Sequence, residues 1–290
     1  MSDFKILADS NCDLPASMAD ALELDVFPMP YVMQDKTYPH YLDNRDMDNH
    51  AFYEMLRRGG SITTVAANAT EWAGLARPHL EAGLDVLMLL FSSGLSITAQ
   101  NAKMAAEELR EEFPDRKIFV VDSLAASMGE GLFNYLVAKK RQSGATIEET
   151  RDYAEEIKLK VCHWFTVDDL FFLKRGGRVS GAAAVFGSML QIKPVLHVND
   201  EGHLIPVSKV RGRRASLNAL VAEMEKTAID PESQTVFISH GDCEADALYV
   251  KKLVEERLHV RDIHISTIGP VIGAHSGPGT VALFFLGTQR

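Results

Sequence analysis

Ser92, Ser93 and Ser96 fall in LLFSSGLSITAQNA (89–102), where an apolar run gives way to a hydroxyl-rich turn and then to a helical pattern. At the carboxyl end of a strand in an open α/β sheet, such a turn meets ligands, and the unpaired N–H groups of the next helix favour an anion. Ser96 or Thr98 could equally be an ordinary helix cap. In SITTVAANATEW (61–72), two adjacent threonines precede an amphipathic helix, so either serves as a cap or as a hydroxyl donor to an anion. His275 lies in VIGAHSGPGTVALFFLG (271–287), a glycine and proline turn between two apolar runs. Gly273, Gly277 and Gly279 allow the chain to come close to a ligand there, as Gly94 does in the serine turn. DDLFFLKRGGRVSG (168–181) clusters Lys174, Arg175 and Arg178 around two glycines, but in the wrong order for a Walker loop. Those glycines read as a tight turn at a helix end, with the cations exposed or paired to Asp168 and Asp169.

Other chemistries use the same residues. Ser93 and His275, with Asp9 or Asp122 orienting the imidazole, could form a serine hydrolase acting on an acyl ester. The nucleophile elbow is incomplete: Gly94 sits two residues before Ser96, but Thr98 stands where the second glycine belongs. His240, Asp242 and Glu244 in SHGDCEAD could ligate a metal, or simply open a helix. Without a nucleotide loop, a self-sufficient kinase is disfavoured.

These residues need elements to position them. Strand-like runs recur at FKILA, DVLMLLF, KIFVV, HWFTV, PVLHV, TVFIS, DIHIST and VALFFL. Helical patterns fall between several of them, as in SITAQNAKMAAEELREEF, ADALYVKKLVEERL and TIEETRDYAEEIKLK, where Thr146 and Glu149 form a capping-box pair. The alternation predicts an α/β fold with substantially parallel sheets. With 290 residues, 46% of them hydrophobic, two domains are expected, 1–160 and 161–290. Thirty basic against forty acidic residues give a net charge of −10, which disfavours a general nucleic-acid binder. The start MSDFKILADS lacks a secretory signal, and no apolar run reaches the ~18 residues of a membrane span. Cys12, Cys162 and Cys243 are few and scattered, which predicts reduced thiols in a cytoplasmic protein and no zinc site.

Taken in order, ADSNCDLP (8–15), SSGLSITAQNA, VVDS (120–123), FLKRGGRVSG, SMLQIKPVL, KVRGRR and VIGAHSGPG resemble the DegV family of bacterial fatty-acid-binding proteins, almost end to end. The resemblance implies two α/β domains, a lipid tunnel holding one long-chain fatty acid, and a carboxylate site between the domains. It implies a carrier rather than an enzyme: the bound acid is presented to a separate fatty-acid kinase, which makes the acyl-phosphate. Carried over by position, the carboxylate ligands are Thr63, Ser93 with Ser96 close behind, His275 and Arg211. No cofactor or metal is implied. Two positions depart from the pattern: TTVAA replaces Thr-Ser-Gln-Pro-Ser, and Ile97 replaces a glycine, stiffening the turn and adding bulk. AAAVFGSML (182–190) is the expected tunnel lining. From charge alone, Lys174, Arg175, Arg178, Arg211, Arg213 and Arg214 form the expected handover surface, with peripheral membrane contact as a route for ligand exchange.

Overall fold

The structure, a computed structural model, describes residues 4–179 and 191–290. In its first half the chain runs β1 (Phe4–Asp9), α1 (Ala16–Ala21), β2 (Leu24–Phe27), β3 (Pro30–Met33), β4 (Lys36–Pro39) and α2 (Asn49–Arg57). It continues through β5 (Thr63–Thr64), α3 (Ala69–Glu81), β6 (Asp85–Leu90), α4 (Thr98–Glu112), β7 (Ile118–Asp122), α5 (Met128–Gln142) and α6 (Ile147–Ile157). The second half holds β8 (Val161–Thr166), α7 (Phe171–Arg175), β9 (Ile192–Val198), β10 (Leu204–Arg211) and α8 (Arg213–Thr227). It ends with β11 (Thr235–His240), α9 (Glu244–Leu258), β12 (Asp262–Thr267), α10 (Pro270–Ser276) and β13 (Val281–Leu286).

All eight apolar runs read from the sequence are strands. They belong to two sheets of different character. The order β2-β1-β6-β7 is parallel throughout, with Ile6 beside Leu24 and Leu87. The order β10-β9-β8-β13-β11-β12 is antiparallel except for its last pair, β11 with β12. The expectation of substantially parallel sheets therefore holds for the first sheet only. In the second, β13 returns between β8 and β11 and runs against both, a topology that apolar periodicity does not encode. A small third sheet, β4-β3-β5, pairs Tyr31 with Thr64 and Val32 with Thr63.

Burial on both faces explains why the strands read as continuous apolar runs rather than alternating ones. Side chains of one strand point alternately to opposite faces. Thus Leu87 and Leu89 of β6 enter one core while Val86, Met88 and Leu90 enter another, under α3 and α4. On β13, Phe284 joins the first of these cores while Leu283 and Phe285 join a third, under α8 and α9. The first core contains residues of both large sheets together with Leu132, Phe133 and Val137 of α5 and Ala154 and Ile157 of α6. Those two helices are thus packed between the sheets. The capping box on α6 forms as read, with Glu149 N–H donating to Thr146 and the Glu149 carboxylate accepting the Thr146 N–H. None of the three cysteines is paired with another. Among the described residues, no helix is long and apolar enough to cross a membrane.

Candidate functional site

A cavity of about 540 Å³ takes its walls from both halves of the chain. Val65, Ser93 and Ile97 line it and are exposed, which marks the mouth. Asn11, Ser127, His163, Phe165, Ser239 and Phe284 line it and are buried, which marks the inner wall. Its volume lies in the range of small-molecule sites.

Helix α10 runs along the cavity and presents Val271, Ile272, His275 and Ser276 to it. His275 is therefore helical, and not in the loop that its neighbours suggested. Pro270 starts the helix, where a missing N–H costs nothing. Gly277, at φ 78°, ends it in a conformation that suits glycine. Near the mouth, His275 Nε2 lies 2.8 Å from Thr64 Oγ1. Among the described residues its Nδ1 is buried without a hydrogen-bond partner, and it packs against Gly176, where a Cβ would stand 2.2 Å away. Burial first, then the charges of Arg178 and Arg175, lower the His275 pKa to about 4, so the imidazole is neutral at pH 7. Arg178 lines the cavity and donates from Nε to the Leu95 carbonyl at 3.2 Å, joining the basic turn to the serine turn. Ser276 also lines the cavity, and its Oγ is buried without a partner among the described residues. In the serine turn, Ser93 N–H donates to Asp122 at 3.2 Å, and Ser96 Oγ accepts from Thr98 N–H at 3.2 Å. Ser96 thus supports the start of α4 while facing the cavity.

The buried end is built from ADSNCDLP. Asp9 accepts from the N–H groups of Asn11 at 3.0 Å and Phe91 at 3.1 Å, tying the end of β1 to the end of β6. Asp13 accepts Gly269 N–H at 2.9 Å, just before α10, and the Ser127 hydroxyl at 2.6 Å, at the start of α5. One carboxyl group thereby fixes α10 against α5. Burial pushes the Asp9 carboxyl up to about 6 and the Asp13 carboxyl up to about 7, against these hydrogen bonds. Ser127 has φ 52° and ψ −145°, an unusual conformation for a residue with a side chain, held by Asp13 and by Ser239 at 3.0 Å.

Not every expected residue reaches this site. Thr63 is exposed, and its neighbour Thr64 meets His275 instead, because adjacent residues of a strand face opposite sides. Arg211 is exposed at the end of β10 and does not line the cavity; among the described residues, Arg178 is the cation that does. Arg178 accordingly leaves the expected outer basic surface, where Lys174, Arg175 and Arg214 are exposed. Arg213 pairs with Asp246 at 2.9 Å and, with Lys193, holds Asp168, so Asp168 does not pair with Lys174, Arg175 or Arg178. Gly94, Gly273 and Gly279 accommodate neighbouring protein: a Cβ would strike the Glu201 carbonyl, Tyr53 or Asp168 respectively. Ile97 needs no glycine conformation (φ −80°) and is 62% exposed at the mouth. AAAVFGSML lies outside the described residues, as does the end of FLKRGGRVSG.

The hydrolase arrangement is not assembled. Among the described residues no hydrogen bond joins Ser93 to His275, and Asp9 and Asp122 accept from backbone N–H groups rather than from the imidazole. In SHGDCEAD, His240 Nδ1 accepts the Cys243 N–H at 3.2 Å, and Asp242 pairs with Arg57 and His50. Sequence reasoning noted the adjacent threonines but gave the carboxylate to Thr63 rather than Thr64, placed Arg178 on the outer surface, and missed Ser276 and Asp13. Asp13 did leave a visible signal, as the second acid of a DSNCD turn directly after a strand.

A family model described as "Uncharacterised protein, DegV family" matches residues 3–288. A DegV domain-containing protein of Clostridium perfringens is 42% identical over 290 residues, covering 100% of this chain and 99% of the relative. Among solved structures, a DegV lipid binding protein from Thermotoga maritima superposes with a TM-score of 0.85 at 30% identity, covering 100% of both chains. A DegV family protein from Thermus thermophilus, described for its fatty acid binding, gives a TM-score of 0.87 at 28% identity, covering 97% of this chain and 98% of its own.

Proposed function

The chain belongs to the DegV family, and from that premise we propose that it binds one long-chain fatty acid in the cavity and presents its carboxylate to a separate fatty-acid kinase. The observation that carries this reading is the cavity itself: one space, with hydroxyl, imidazole and guanidinium groups near its mouth and Phe165, Leu173, Val198 and Phe284 farther in.

A carboxylate drawn out of water needs donors, because an unpaired buried charge is costly. In this reading His275 donates from Nε2 to Thr64 Oγ1, which frees the threonine proton for the carboxylate. The imidazole then leaves only an acceptor, not a donor, against Gly176. Arg178 supplies positive charge, and the Ser93, Ser96 and Ser276 hydroxyls complete the clasp. Thr64 and Arg178 here take the roles that the resemblance assigned to Thr63 and Arg211. The tail supplies most of the affinity: at ~0.8 kcal/mol per buried CH₂, about fifteen methylenes offer roughly 12 kcal/mol before ordering costs.

The protein is a carrier in this reading, not the phosphoryl-transfer catalyst, and it works in the cytoplasm. Lys174, Arg175, Arg211 and Arg214 form the handover face, and the exposed apolar rim of Val65 and Ile97 serves ligand exchange at a membrane surface. The seam between the two domains falls near residue 160. Mass spectrometry of ligand extracted from natively purified protein tests the reading. One fatty acid per chain is expected; protein that arrives empty and takes up no added fatty acid refutes it.

A further inference from the structure

The buried wall of the cavity carries polar groups for which a plain hydrocarbon tail has no use. Asn11, Ser127 and Ser239 line it and are 2%, 5% and 0% exposed. The direction of their hydrogen bonds can be followed proton by proton. Once Asp13 is ionised, above about pH 7, Ser127 donates its one hydroxyl proton to it at 2.6 Å, so in the 3.0 Å contact between the two serines the donor is Ser239. Both hydroxyl protons are thus engaged within the protein, and both oxygens offer only lone pairs. The side-chain amide of Asn11 donates toward Asp9 through one of its two N–H groups, and its Oδ1 is buried without a partner among the described residues. His163, in the same wall, donates from Nδ1 to the Val161 carbonyl at 3.1 Å and accepts the Ala126 N–H at Nε2 at 3.3 Å, so both its ring nitrogens are engaged by the protein. Among the described residues, the wall offers an incoming donor the unpartnered Asn11 Oδ1 and the lone pairs of the Ser127 and Ser239 hydroxyls.

A buried acceptor with no donor is a cost that a ligand can remove. An ether or ketone on the chain would add another acceptor. An ammonium would bring a charge into a wall that offers no ion pair on the cavity side. A hydroxyl brings one proton and no charge. We propose that Asn11, Ser127 and Ser239 form a second binding site, which takes a hydroxyl carried part-way along the acyl chain, so that hydroxylated fatty acids are the ligands this protein selects. The inference rests on the acyl-carrier reading and names its substrate class.

The test is a competition assay on the full chain, with octadecanoic acid and its positional series of monohydroxy derivatives. In a wholly apolar cavity the hydroxyl weakens binding roughly ten- to hundredfold at every position. The second site predicts a position, or two adjacent ones, where the hydroxy acid binds at least as tightly as octadecanoic acid. Asn11→Leu and Ser239→Ala should each lower the ratio of hydroxy-acid to plain-acid affinity about tenfold at that position. The wild-type profile decides the matter even where a variant fails to fold. Octadecanoic acid bound, with every hydroxyl position weakened alike, overturns this inference and leaves the carrier reading standing. Failure of the plain acid and all its derivatives to bind overturns both.

Discussion

The two ends of α10 contrast in how their polar groups are used. At the first end Gly269 N–H and the Ser127 hydroxyl both reach Asp13, the Ile268 carbonyl accepts from Tyr53 at 2.9 Å, and the Ile268 N–H donates to the His240 carbonyl. At the other end His275 Nδ1 and Ser276 Oγ are buried with no partner among the described residues. Seven residues separate an anchored end from one with unspent hydrogen-bonding capacity. The difference teaches that Asp13 acts on the site from a distance: by fixing where α10 begins, it sets where His275 stands relative to Thr64. It is a positioning residue, and the ligand-facing work falls to the far end.

The strongest way to break the contrast is at the anchor. Asp13→Ala leaves the Gly269 N–H buried and unpaired and takes from the Ser127 hydroxyl its carboxylate partner, and at about 1–3 kcal/mol for each the expected loss is roughly 3 kcal/mol in urea unfolding. A change under about 0.5 kcal/mol, the size of an ordinary surface substitution, would remove Asp13 from its anchoring role.

Asp13→Asn sharpens the same point through pH. Burial holds the folded-state carboxyl near 7, against an ordinary value of 3.8, so between those values the folded chain keeps a proton that the unfolded chain has released. Stability from this group is present at low pH and is lost as pH rises from about 4 to 7. The wild type should therefore lose stability relative to Asp13→Asn across that window, with the gap constant above it. A gap that stays flat through the window refutes the buried, protonated carboxyl.

At the other end, paired substitutions separate the adjacent threonines. Thr64→Val should weaken fatty-acid binding about tenfold, the worth of a hydrogen bond to a charged group, whereas Thr63→Val should leave it within twofold. Equal effects would mean that the strand register does not decide which hydroxyl serves. The smallest effect expected is that of Gly176→Ala, whose backbone angles suit alanine (φ −73°) but whose Cβ would press on His275 Nδ1. Binding should fall severalfold while the unfolding midpoint hardly moves; unchanged binding would mean that His275 can shift without consequence.

How much of this was legible in the sequence differs between the fold and the site. The strands could be read because β1, β6, β11 and β13 are buried on both faces and so are apolar at nearly every position. The direction of β13 could not, since it depends on partners far away in the chain. His275 and Ser93 could be picked out by their turn-like neighbours, although Pro270 and Gly277 proved to bound a helix rather than a loop. Thr64 could not be told from Thr63, because only the pairing of β5 with β3 decides which of the two faces inward. Arg178 and Arg211 each lie in a basic stretch, and only the fold turns the first toward the Leu95 carbonyl and leaves the second in solvent.

The central claim is that an acyl chain lies inside the cavity with its acid group at the Thr64–His275 end. A crystal structure of the protein loaded with octadecanoic acid tests it most directly. The account predicts a carboxylate oxygen within hydrogen-bond distance of Thr64 Oγ1 and a tail lying against Phe165 and Phe284. A reversed ligand, with its carboxylate beside Asn11 and Ser127, or a ligand bound outside the cavity, would contradict it.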